Sequence, residues 1–287
     1  MSNILVTGGL GFIGSNLVDK LVDDHNVYVI DNLSSNSSND SYRNYKATYI
    51  IDDIEKIEQY NLPHIDIIFH LAACARIQPS FDNPLHVIKN NAMKTGIICE
   101  YARHNDSRII YAGSSSFYGG TTENPYTFSK WQGEQICNMY TEIFDVDTVT
   151  ARFFNVYGNH QPMNGEYATV VGKFLRQYRN GEDLTIVGDG NQRRDFTHID
   201  DICSGLIKLA FSTYQGIYNL GTGYNYSIKE IVDIIIENGY NDIKKIYQPK
   251  RPGEARNTLA DISKTKKDLN WKPIHKLEDY LITQVQK

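Results

Sequence analysis

The sequence has little of what marks several protein classes. Four cysteines occur in 287 residues, without a CxxC or Cys/His pattern. We therefore expect small buried side chains, and neither a metal site nor a disulfide, at Cys74, Cys99, Cys137 and Cys203. No basic run occurs and the formal net charge is −5, which argues against a nucleic-acid binder. No apolar run is long enough to span a bilayer, and a strand-like run starts close to the first residue. We therefore expect a soluble, cytoplasmic protein without a membrane partner.

The hydrophobic pattern alternates between two periods. Hydrophobic residues make up 41% of the chain, enough for one large core or for one large and one small domain. Strand-like runs read NILVT, VYVID, TYII, IDIIFHL, RIIYAG and DTVTARFF. Helix-like stretches lie between them, near residues 12–23, 53–60, 83–104 and 127–145. This alternation predicts an α/β fold with a doubly wound parallel sheet of the Rossmann type.

The alternation becomes irregular after residue 155. A polar, glycine-containing stretch is followed there by a helix, by the strand-like run LTIVG, and by helices near 200–212 and 227–238. We therefore divide the chain into a Rossmann-type domain, residues 1–155, and a smaller α/β region that is expected to bind substrate, residues 156–287. Some of the later segments are expected to return to the sheet. The smaller region is predicted to cover the carboxyl edge of the sheet, where ligands bind in such folds.

A glycine-rich turn follows the first strand-like run. Residues 4–14 read ILVTGGLGFIG, in which small glycines let the backbone approach a pyrophosphate and the following helix stabilises its charge. The next apolar run ends at Asp31, placed to accept hydrogen bonds from ribose hydroxyls. A 2′-phosphate would meet a like charge there, and Asn32 and Leu33 supply no arginine, so NAD is favoured over NADP. The stretch SSNSSNDS, residues 34–41, is expected to be a mobile surface loop near the adenosine.

Candidate catalytic groups follow the run RIIYAG. Ser114 lies in GSSSFYGG, and Tyr126 and Lys130 lie in PYTFSK. A tyrosine and a lysine four residues apart share one face of a helix, so the ammonium is expected to lower the pKa of the phenol and make it a usable base. The YxxxK pattern also occurs at residues 42–46 and 240–244. Only the pair at 126–130 follows a strand of the predicted sheet, close behind a serine-rich loop.

Taken in order, the motifs TGGLGFIG, DNLSS, DDI, HLAA, SSSFYG, YTFSK, RFFNVYG, GDGNQRRDF and RPGE resemble those of the extended short-chain dehydrogenase/reductase family. Within it they resemble the NAD-dependent nucleotide-sugar epimerases and dehydratases, in particular UDP-glucose 4-epimerase-like proteins, from about residue 3 to residue 273. The resemblance implies a catalytic triad of Ser114, Tyr126 and Lys130. It implies NAD contacts at Gly8, Gly11, Phe12, Ile13, Gly14, Asp31, Asn32, Ser34, Asp53, Ile54, Leu71, Ala72, Ala73, Asn91, Tyr126, Lys130 and Phe153.

The resemblance also implies a nucleotide diphosphate-sugar as the substrate. Arg194 and Arg251 resemble a diphosphate clamp, in which two guanidinium groups make charge-assisted bonds to two phosphates. Asn155 resembles a residue that contacts phosphate or sugar, Glu254 is a candidate for the ribose hydroxyls of the nucleotide, and Ser114 is expected to contact the sugar as well. UDP is chosen for its abundance in the family, since the base contacts cannot be read from spacing.

The reaction type is narrowed by two residues. In the 4,6-dehydratases of the family an Asp-Glu pair directly follows the catalytic hydroxyl residue, and in the decarboxylases a glutamate lies in the same segment. Here the two positions are Ser115 and Ser116, which cannot exchange protons as carboxyl groups do near neutral pH. The sequence therefore favours epimerisation at C4 through a transient 4-keto sugar. A reductase or dehydrogenase that consumes external NAD(H), a dehydratase, and a non-catalytic NAD-sensing or scaffold protein are the alternatives.

Three further features complete the expectations. Only TTENP separates Gly120 from Tyr126, whereas relatives commonly have a longer segment that folds over the hexose. The sugar pocket should therefore be more open. This would suit a bulkier N-acetylated or uronic sugar, a changed regiochemistry, or a substrate that is not a simple hexose. The aspartates at 200 and 201 are predicted to cap a helix that starts near Ile202, and His70 to be a satisfied core histidine. A homodimer is expected through the helices near 83–104 and 127–145, with a seam at Trp131, Ile136, Met139, Tyr140 and Ile143.

Overall fold

Strands and helices alternate through the first half of the chain, as the hydrophobic pattern predicts. The computed structural model describes residues 1–34, 38–240 and 242–287. The strands of those residues are β1 (Asn3–Thr7), β2 (Asn26–Ile30), β3 (Thr48–Ile50), β4 (Ile67–His70), β5 (Arg108–Ser114), β6 (Thr148–Phe153), β7 (Val156–Tyr157), β8 (Leu184–Val187), β9 (Arg193–Asp195), β10 (Thr197–His198), β11 (Gly216–Leu220), β12 (Asn225–Ser227) and β13 (Lys245–Gln248). The α-helices are α1 (Phe12–Leu21), α2 (Ile77–Asp82), α3 (Pro84–Ile88), α4 (Lys94–Asn105), α5 (Pro125–Phe144), α6 (Val170–Arg179), α7 (Ile199–Ala210), α8 (Ile228–Asn238), α9 (Ser263–Leu269) and α10 (Leu277–Val285).

The central sheet contains seven parallel strands in the order β11-β6-β5-β4-β1-β2-β3. Its middle strands are apolar and buried because helices cover both faces, so the side chains of neither face meet water. The predicted Rossmann-type α/β fold is confirmed. Successive strands are added on one side of β1 up to β3 and on the other side from β4 onward. Open α/β sheets bind ligands at the carboxyl end of such a switch point.

Two apolar layers sandwich the sheet. Helices α1 and α7 pack on one face, together with Trp271, and helices α4 and α5 pack on the other. Within the second layer the sulfur atoms of Cys99 and Cys137 lie 3.9 Å apart, as free thiols. Cys203 is buried in the first layer, while Cys74 is half-buried at the edge of the sheet.

The residues after 155 serve two purposes. Strand β11 returns to the central sheet beside β6, and α7 packs on that sheet. The others build a separate core from α6, α8 and α10 with the short sheets β7/β10, β8/β13 and β9/β12. This second core lies beyond the carboxyl edge of the central sheet, and the two parts enclose the cavity described below. No helix of the described residues has the length and hydropathy to cross a bilayer.

Several element boundaries differ from the predicted ones. The predicted helix at 53–60 is a 3-10 turn, Ile54–Gln59, whose first N–H groups are capped by Asp53. The predicted helix at 83–104 is interrupted by a π-helical turn, Lys89–Met93, between α3 and α4. Pro84 at the first turn of α3, behind the capping side chain of Asn83, starts this segment. Of the predicted mobile loop at 34–41, residues 35–37 lie outside the described residues.

Candidate functional site

The glycine turn after β1 opens one end of a cavity. Gly8 has φ +71, and a Cβ there would lie 2.8 Å from the backbone nitrogen of Ala72, so only glycine fits. A Cβ on Gly14 would lie 2.2 Å from the Gly8 carbonyl oxygen, which keeps α1 close to the turn. Gly11 is the N-cap of α1 and no side chain caps the helix. The first N–H groups of α1 are therefore free to bind an anion, and the turn fits the pyrophosphate of a dinucleotide.

Asp31 is held rigidly at the end of β2. Its carboxylate accepts hydrogen bonds from the backbone N–H groups of Leu10 (3.0 Å) and Leu33 (2.8 Å), and the residue is only 6% exposed. These bonds orient the carboxylate along the cavity wall while lone pairs remain for ribose hydroxyls. The neighbouring Asp53 accepts hydrogen bonds from Asn32 (2.9 Å) and Lys94 (2.5 Å). Burial raises the pKa of Asp53, but the hydrogen bonds from Lys94, Glu55 and Asn32 and the charge of Lys94 together outweigh it, so the pKa is lowered.

The predicted cofactor and substrate residues, with one exception, line a single cavity of about 1220 Å³. The exception is Asn91, which is 1% exposed and does not line the cavity. Its amide exchanges hydrogen bonds with the backbone of Cys74 and donates one to the hydroxyl of Ser129. Asn91 therefore positions the loop after β4 rather than facing a ligand, because the π-helical turn carries its side chain toward that loop.

The three candidate catalytic residues meet in the middle of the cavity. The hydroxyl of Tyr126 donates to the hydroxyl of Ser114 at 3.2 Å, and Ser114 and Ser116 share a hydrogen bond of 2.9 Å. Helix α5 starts one residue before Tyr126, where Asn124 caps it by accepting from the N–H of Thr127. Lys130 lies one turn further along the same face of α5 and also lines the cavity.

The electrostatics of this group differ from the sequence-based expectation. Burial raises the pKa of Tyr126, and the hydrogen bond to Ser114 and the positive charge of Arg76 oppose that rise. Lys130 is not among the groups that shift the pKa of this phenol, and its ammonium lies over the ring of Tyr111, 4.3 Å from the centroid. Burial lowers the pKa of Lys130 itself to about 8.

A buried ion pair lies behind Lys130. Glu134 follows Lys130 by one turn of α5 and accepts two hydrogen bonds from Arg152, at 3.0 and 2.6 Å. The guanidinium of Arg152 also lies 3.6 Å from the centroid of the Phe117 ring. The pair fixes α5 against β6 and the serine-rich turn. Sequence reasoning missed it, although a glutamate on the apolar side of α5 and an arginine inside an apolar strand are signals of such a pair.

The far end of the cavity is basic. Asn155, Arg194, Arg251 and Glu254 all line it, as predicted from the resemblance. Burial lowers the pKa of Arg194, whose guanidinium lies 4.0 Å from the Glu254 carboxylate. The amide of Asn155 donates to the backbone carbonyl of Asp195 (3.0 Å). Lys173 on α6, which the sequence reasoning missed, also lines this end.

The remaining candidates lie outside the cavity. In the other two YxxxK pairs, Tyr42 stacks on His160 and Tyr240 is 83% exposed. His70 is a satisfied core histidine, as predicted. Its ring nitrogens bond the hydroxyls of Thr7 (2.8 Å) and Thr95 (3.1 Å), and burial lowers its pKa to about 3.

The predicted helix start near Ile202 and the predicted aspartate cap are wrong, although Asp200 and Asp201 do lie in the first turn of the helix, where negative charge stabilises it. Helix α7 begins at Ile199, and its N-cap is the imidazole of His198, which accepts from the N–H of Asp200. Asp201 is buried and accepts hydrogen bonds from the backbone N–H groups of residues 274 and 275 and from the ring of His275. His198, Asp200 and His275 offer ligand atoms within 4.8 Å of one another, but Asp200 already pairs with Lys20 at 2.6 Å.

Known proteins share both the sequence and the fold. The family model described as the NAD dependent epimerase/dehydratase family matches residues 4–221. A Bacillus subtilis protein named as an uncharacterized UDP-glucose epimerase is 31% identical over 308 residues, which cover 98% of this chain and 96% of that protein. UDP-N-acetylglucosamine 4-epimerase from Methanobrevibacter ruminantium, solved with UDP-N-acetylmuramic acid, is 35% identical with a TM-score of 0.90 and covers 99% and 97% of the two chains. UDP-glucuronic acid 4-epimerase from Bacillus cereus, solved with UDP-glucuronic acid and NAD, is 28% identical with a TM-score of 0.89 and covers 99% of both chains.

Proposed function

Since the chain belongs to the NAD-dependent epimerase/dehydratase family, we propose that it epimerises C4 of a nucleotide diphosphate-sugar through a transient 4-keto intermediate. The observation that carries the proposal is the Ser114–Tyr126 hydrogen bond of 3.2 Å in the middle of a cavity. One end of that cavity carries the dinucleotide turn and the other carries the paired arginines. A sugar held between the two ends has its reacting carbon beside the Tyr126 hydroxyl.

Each residue of the triad has a distinct task in this mechanism. As the phenolate, which the hydrogen bond to Ser114 and the charge of Arg76 favour, Tyr126 removes the proton of the 4-hydroxyl as general base and returns it at the end of the cycle. Ser114 donates a hydrogen bond to the C4 oxygen, and Lys130 anchors the nicotinamide ribose at the floor of the cavity. The glycine turn and Lys130 would hold NAD between them, and the bound cofactor would supply the hydride acceptor and donor for C4. Rotation of the 4-keto sugar between removal and return of the hydride would invert C4.

The groups around Tyr126 support epimerisation over dehydration. A dehydratase needs a carboxyl acid and base near the sugar, and the corresponding positions carry Ser115 and Ser116, both lining the cavity. Among the described residues that shift the pKa of Tyr126, the one carboxylate is Glu134, and Arg152 engages both of its oxygens. The two positions after Ser114 therefore offer no carboxyl group to remove water from the sugar.

The proposed substrate is a UDP-sugar. Both solved relatives bind UDP-sugars according to their titles, and the arginines at the far end of the cavity suit a diphosphate. The short segment between Gly120 and Tyr126 and the large volume of the cavity support a sugar bulkier than a plain hexose. The domain division at residue 155 and a cytoplasmic location belong to the same proposal.

Mass spectrometry and NMR of the products test the reaction. Purified protein is incubated with UDP-, dTDP-, GDP- and CDP-sugars without added cofactor, beside Tyr126→Phe as the inactive control. An isomer of unchanged mass is the expected product, formed by the wild type alone. Loss of water or of carbon dioxide would contradict epimerisation, and a reaction that starts only when NAD(H) is supplied would indicate a reductase or dehydrogenase.

We propose a homodimer through the outer face of α5. Met139, Ile143 and Phe144 on this helix are 40%, 65% and 45% exposed, which is unusual for adjacent large apolar side chains. Leu85 and Met93, in the segment before α4, are also exposed. Sedimentation velocity of the wild type and of Ile143→Glu tests the assignment. A dimer that becomes a monomer is expected, and an unchanged dimer would place the interface elsewhere.

A further inference from the structure

A positive charge without a counter-charge lies beside the catalytic tyrosine. Arg76 follows β4 by a short loop, is the N-cap residue of α2, and lines the cavity. One edge of its guanidinium is held in place, because Nε and Nη2 both donate to the backbone carbonyl of Tyr167, at 3.0 and 2.6 Å. This fixed edge leaves the other donors of the planar group available to a ligand.

No carboxylate of the described residues forms an ion pair with this guanidinium. In the described part of the chain, the ionisable groups that act on Arg76 are the phenols of Tyr126 and Tyr167, and neither is a carboxylate. Two other cations of the cavity do have acidic neighbours, since Lys94 pairs with Asp53 and Arg194 lies 4.0 Å from Glu254. Arg76 is half-buried. A partly desolvated cation without a partner is unfavourable, and an arginine cannot lose its charge to avoid that cost. The missing negative charge is therefore expected to come from the ligand.

The position of Arg76 indicates which part of the ligand carries that charge. The backbone N–H of Tyr126 donates to the hydroxyl of Ser80 at 3.2 Å, so the start of α5 is tied to α2, the helix that Arg76 begins. The guanidinium is also close enough to act on the Tyr126 phenol. Tyr126 and Ser114 define the place of the C4 oxygen in the proposed reaction. Arg76 accordingly faces the substituents of the carbons next to C4, whereas Arg194 and Arg251 belong to the diphosphate.

We propose that Arg76 binds a carboxylate carried by the sugar, so that the preferred substrates are acidic nucleotide-sugars. This inference rests on the proposed function and adds the substrate class to it. A carboxylate at C6 of a hexuronic acid is bonded to C5, the neighbour of C4, and a carboxylate on an ether at C3 lies on the opposite neighbour. Both present two oxygens to a guanidinium, which arginine recognises better than lysine. Arg76 would bind either carboxylate in the same way, and the experiment below distinguishes the C6 carboxylate from the carboxylate on the C3 ether.

Isothermal titration calorimetry on the NAD-loaded protein tests this assignment without requiring turnover. The probes are UDP-glucose, UDP-glucuronic acid and UDP-N-acetylmuramic acid, and the variants are Arg76→Gln and Arg76→Lys. Arg179→Gln, an exposed arginine outside the cavity, is the matched control. We expect the wild type and the control to bind one of the acidic sugars at least about tenfold more tightly than UDP-glucose. Arg76→Gln should lose that preference while its affinity for UDP-glucose changes less than about threefold, and Arg76→Lys should keep part of it.

Two results would overturn the inference. One is a wild type that binds neither acidic sugar more tightly than UDP-glucose, which is decisive even if Arg76→Gln does not fold. The other is an equal loss of affinity or turnover for neutral and acidic sugars in Arg76→Gln with a shifted pH profile of kcat, which would make Arg76 a group that acts on Tyr126. Acid-selective binding without an epimerised product would leave the Arg76 site standing and refute the proposed reaction instead.

Discussion

Removing the charge of Glu134 should destabilise the protein measurably. Glu134 and Arg152 are 1% and 5% exposed, and two hydrogen bonds of 3.0 and 2.6 Å join them. Glu134→Gln keeps the shape of the side chain but leaves the guanidinium without its counter-charge. Breaking one partner of a buried ion pair costs about 3–5 kcal/mol. We expect about 3 kcal/mol, because the glutamine oxygen still accepts one bond and the ring of Phe117 still faces the guanidinium.

Urea unfolding near neutral pH measures this free energy. Glu142→Gln, on the exposed side of the same helix, is the control and should change the free energy of unfolding by less than about 0.5 kcal/mol. The double variant Glu134→Leu with Arg152→Met removes both charges and should recover much of the loss. A Glu134→Gln protein within about 1 kcal/mol of the wild type, or a double variant that is less stable than Glu134→Gln, would refute the argument.

Glu134→Gln should also change the pKa of Lys130, the proposed catalytic lysine. Burial lowers the pKa of Lys130 to about 8, and the negative charge of Glu134 opposes that shift. Without this charge the pKa of Lys130 falls further, so activity that needs the ammonium should decline at a lower pH. The alkaline limb of the kcat profile should move to lower pH in Glu134→Gln and stay in place in Glu142→Gln. If the alkaline limb of the kcat profile does not move, Glu134 stabilises the fold but does not influence catalysis through Lys130.

Three further substitutions have defined outcomes. Tyr126→Phe should abolish turnover and retain NAD, as measured by product formation and by the cofactor released on denaturation; residual turnover above about a hundredth of the wild type would remove Tyr126 as the base. Asp31→Asn should raise binding of NADP relative to NAD in a fluorescence titration, since a carboxylate no longer repels the 2′-phosphate; an unchanged ratio would refute the ribose contact. Lys130→Met should stabilise the cofactor-free protein by up to about 3 kcal/mol below pH 8. Folding lowers the pKa of Lys130 from 10.5 to about 8, so between these pH values the unfolded state binds more protons than the folded state. The stability advantage of Lys130→Met over the wild type should therefore shrink as the pH rises from 8 to 10.5. A stability difference that does not depend on pH would exclude the charge of Lys130 as its source.

The parts of the site that could be predicted are those encoded by neighbouring residues. The glycine turn and the acidic end of β2 each lie within one short segment, so their spacing carries the geometry. Tyr126 and Lys130 share a helix face for the same reason. The fold follows likewise from the alternation of two hydrophobic periods, although the π-helical turn before α4 leaves no trace in that pattern.

What could not be predicted depends on contacts between distant segments. Arg76 and the Tyr167 carbonyl that orients it are 91 residues apart, and no spacing rule connects them. The expected action of Lys130 on Tyr126 stays a prediction, since burial, which the sequence does not report, is the largest influence on the pKa of both groups. Asp201 was assigned to a helix cap for its position in the chain, whereas its partners lie more than 70 residues away, at 274 and 275.

Unpaired positive charges are concentrated in one half of the cavity, and this difference distinguishes the substrate half from the cofactor half. At the cofactor end Lys94 is paired with Asp53, and the pyrophosphate meets helix N–H groups rather than a free cation. In the other half Arg76 and Arg251 have no carboxylate within 4.0 Å among the described residues, and Arg194 meets Glu254 only at that limit. Because the chain as a whole carries a net charge of −5, this local excess of positive charge focuses attraction for anions on the substrate half. A ligand with a diphosphate and a further negative charge on its sugar matches that half better than a neutral sugar nucleotide does.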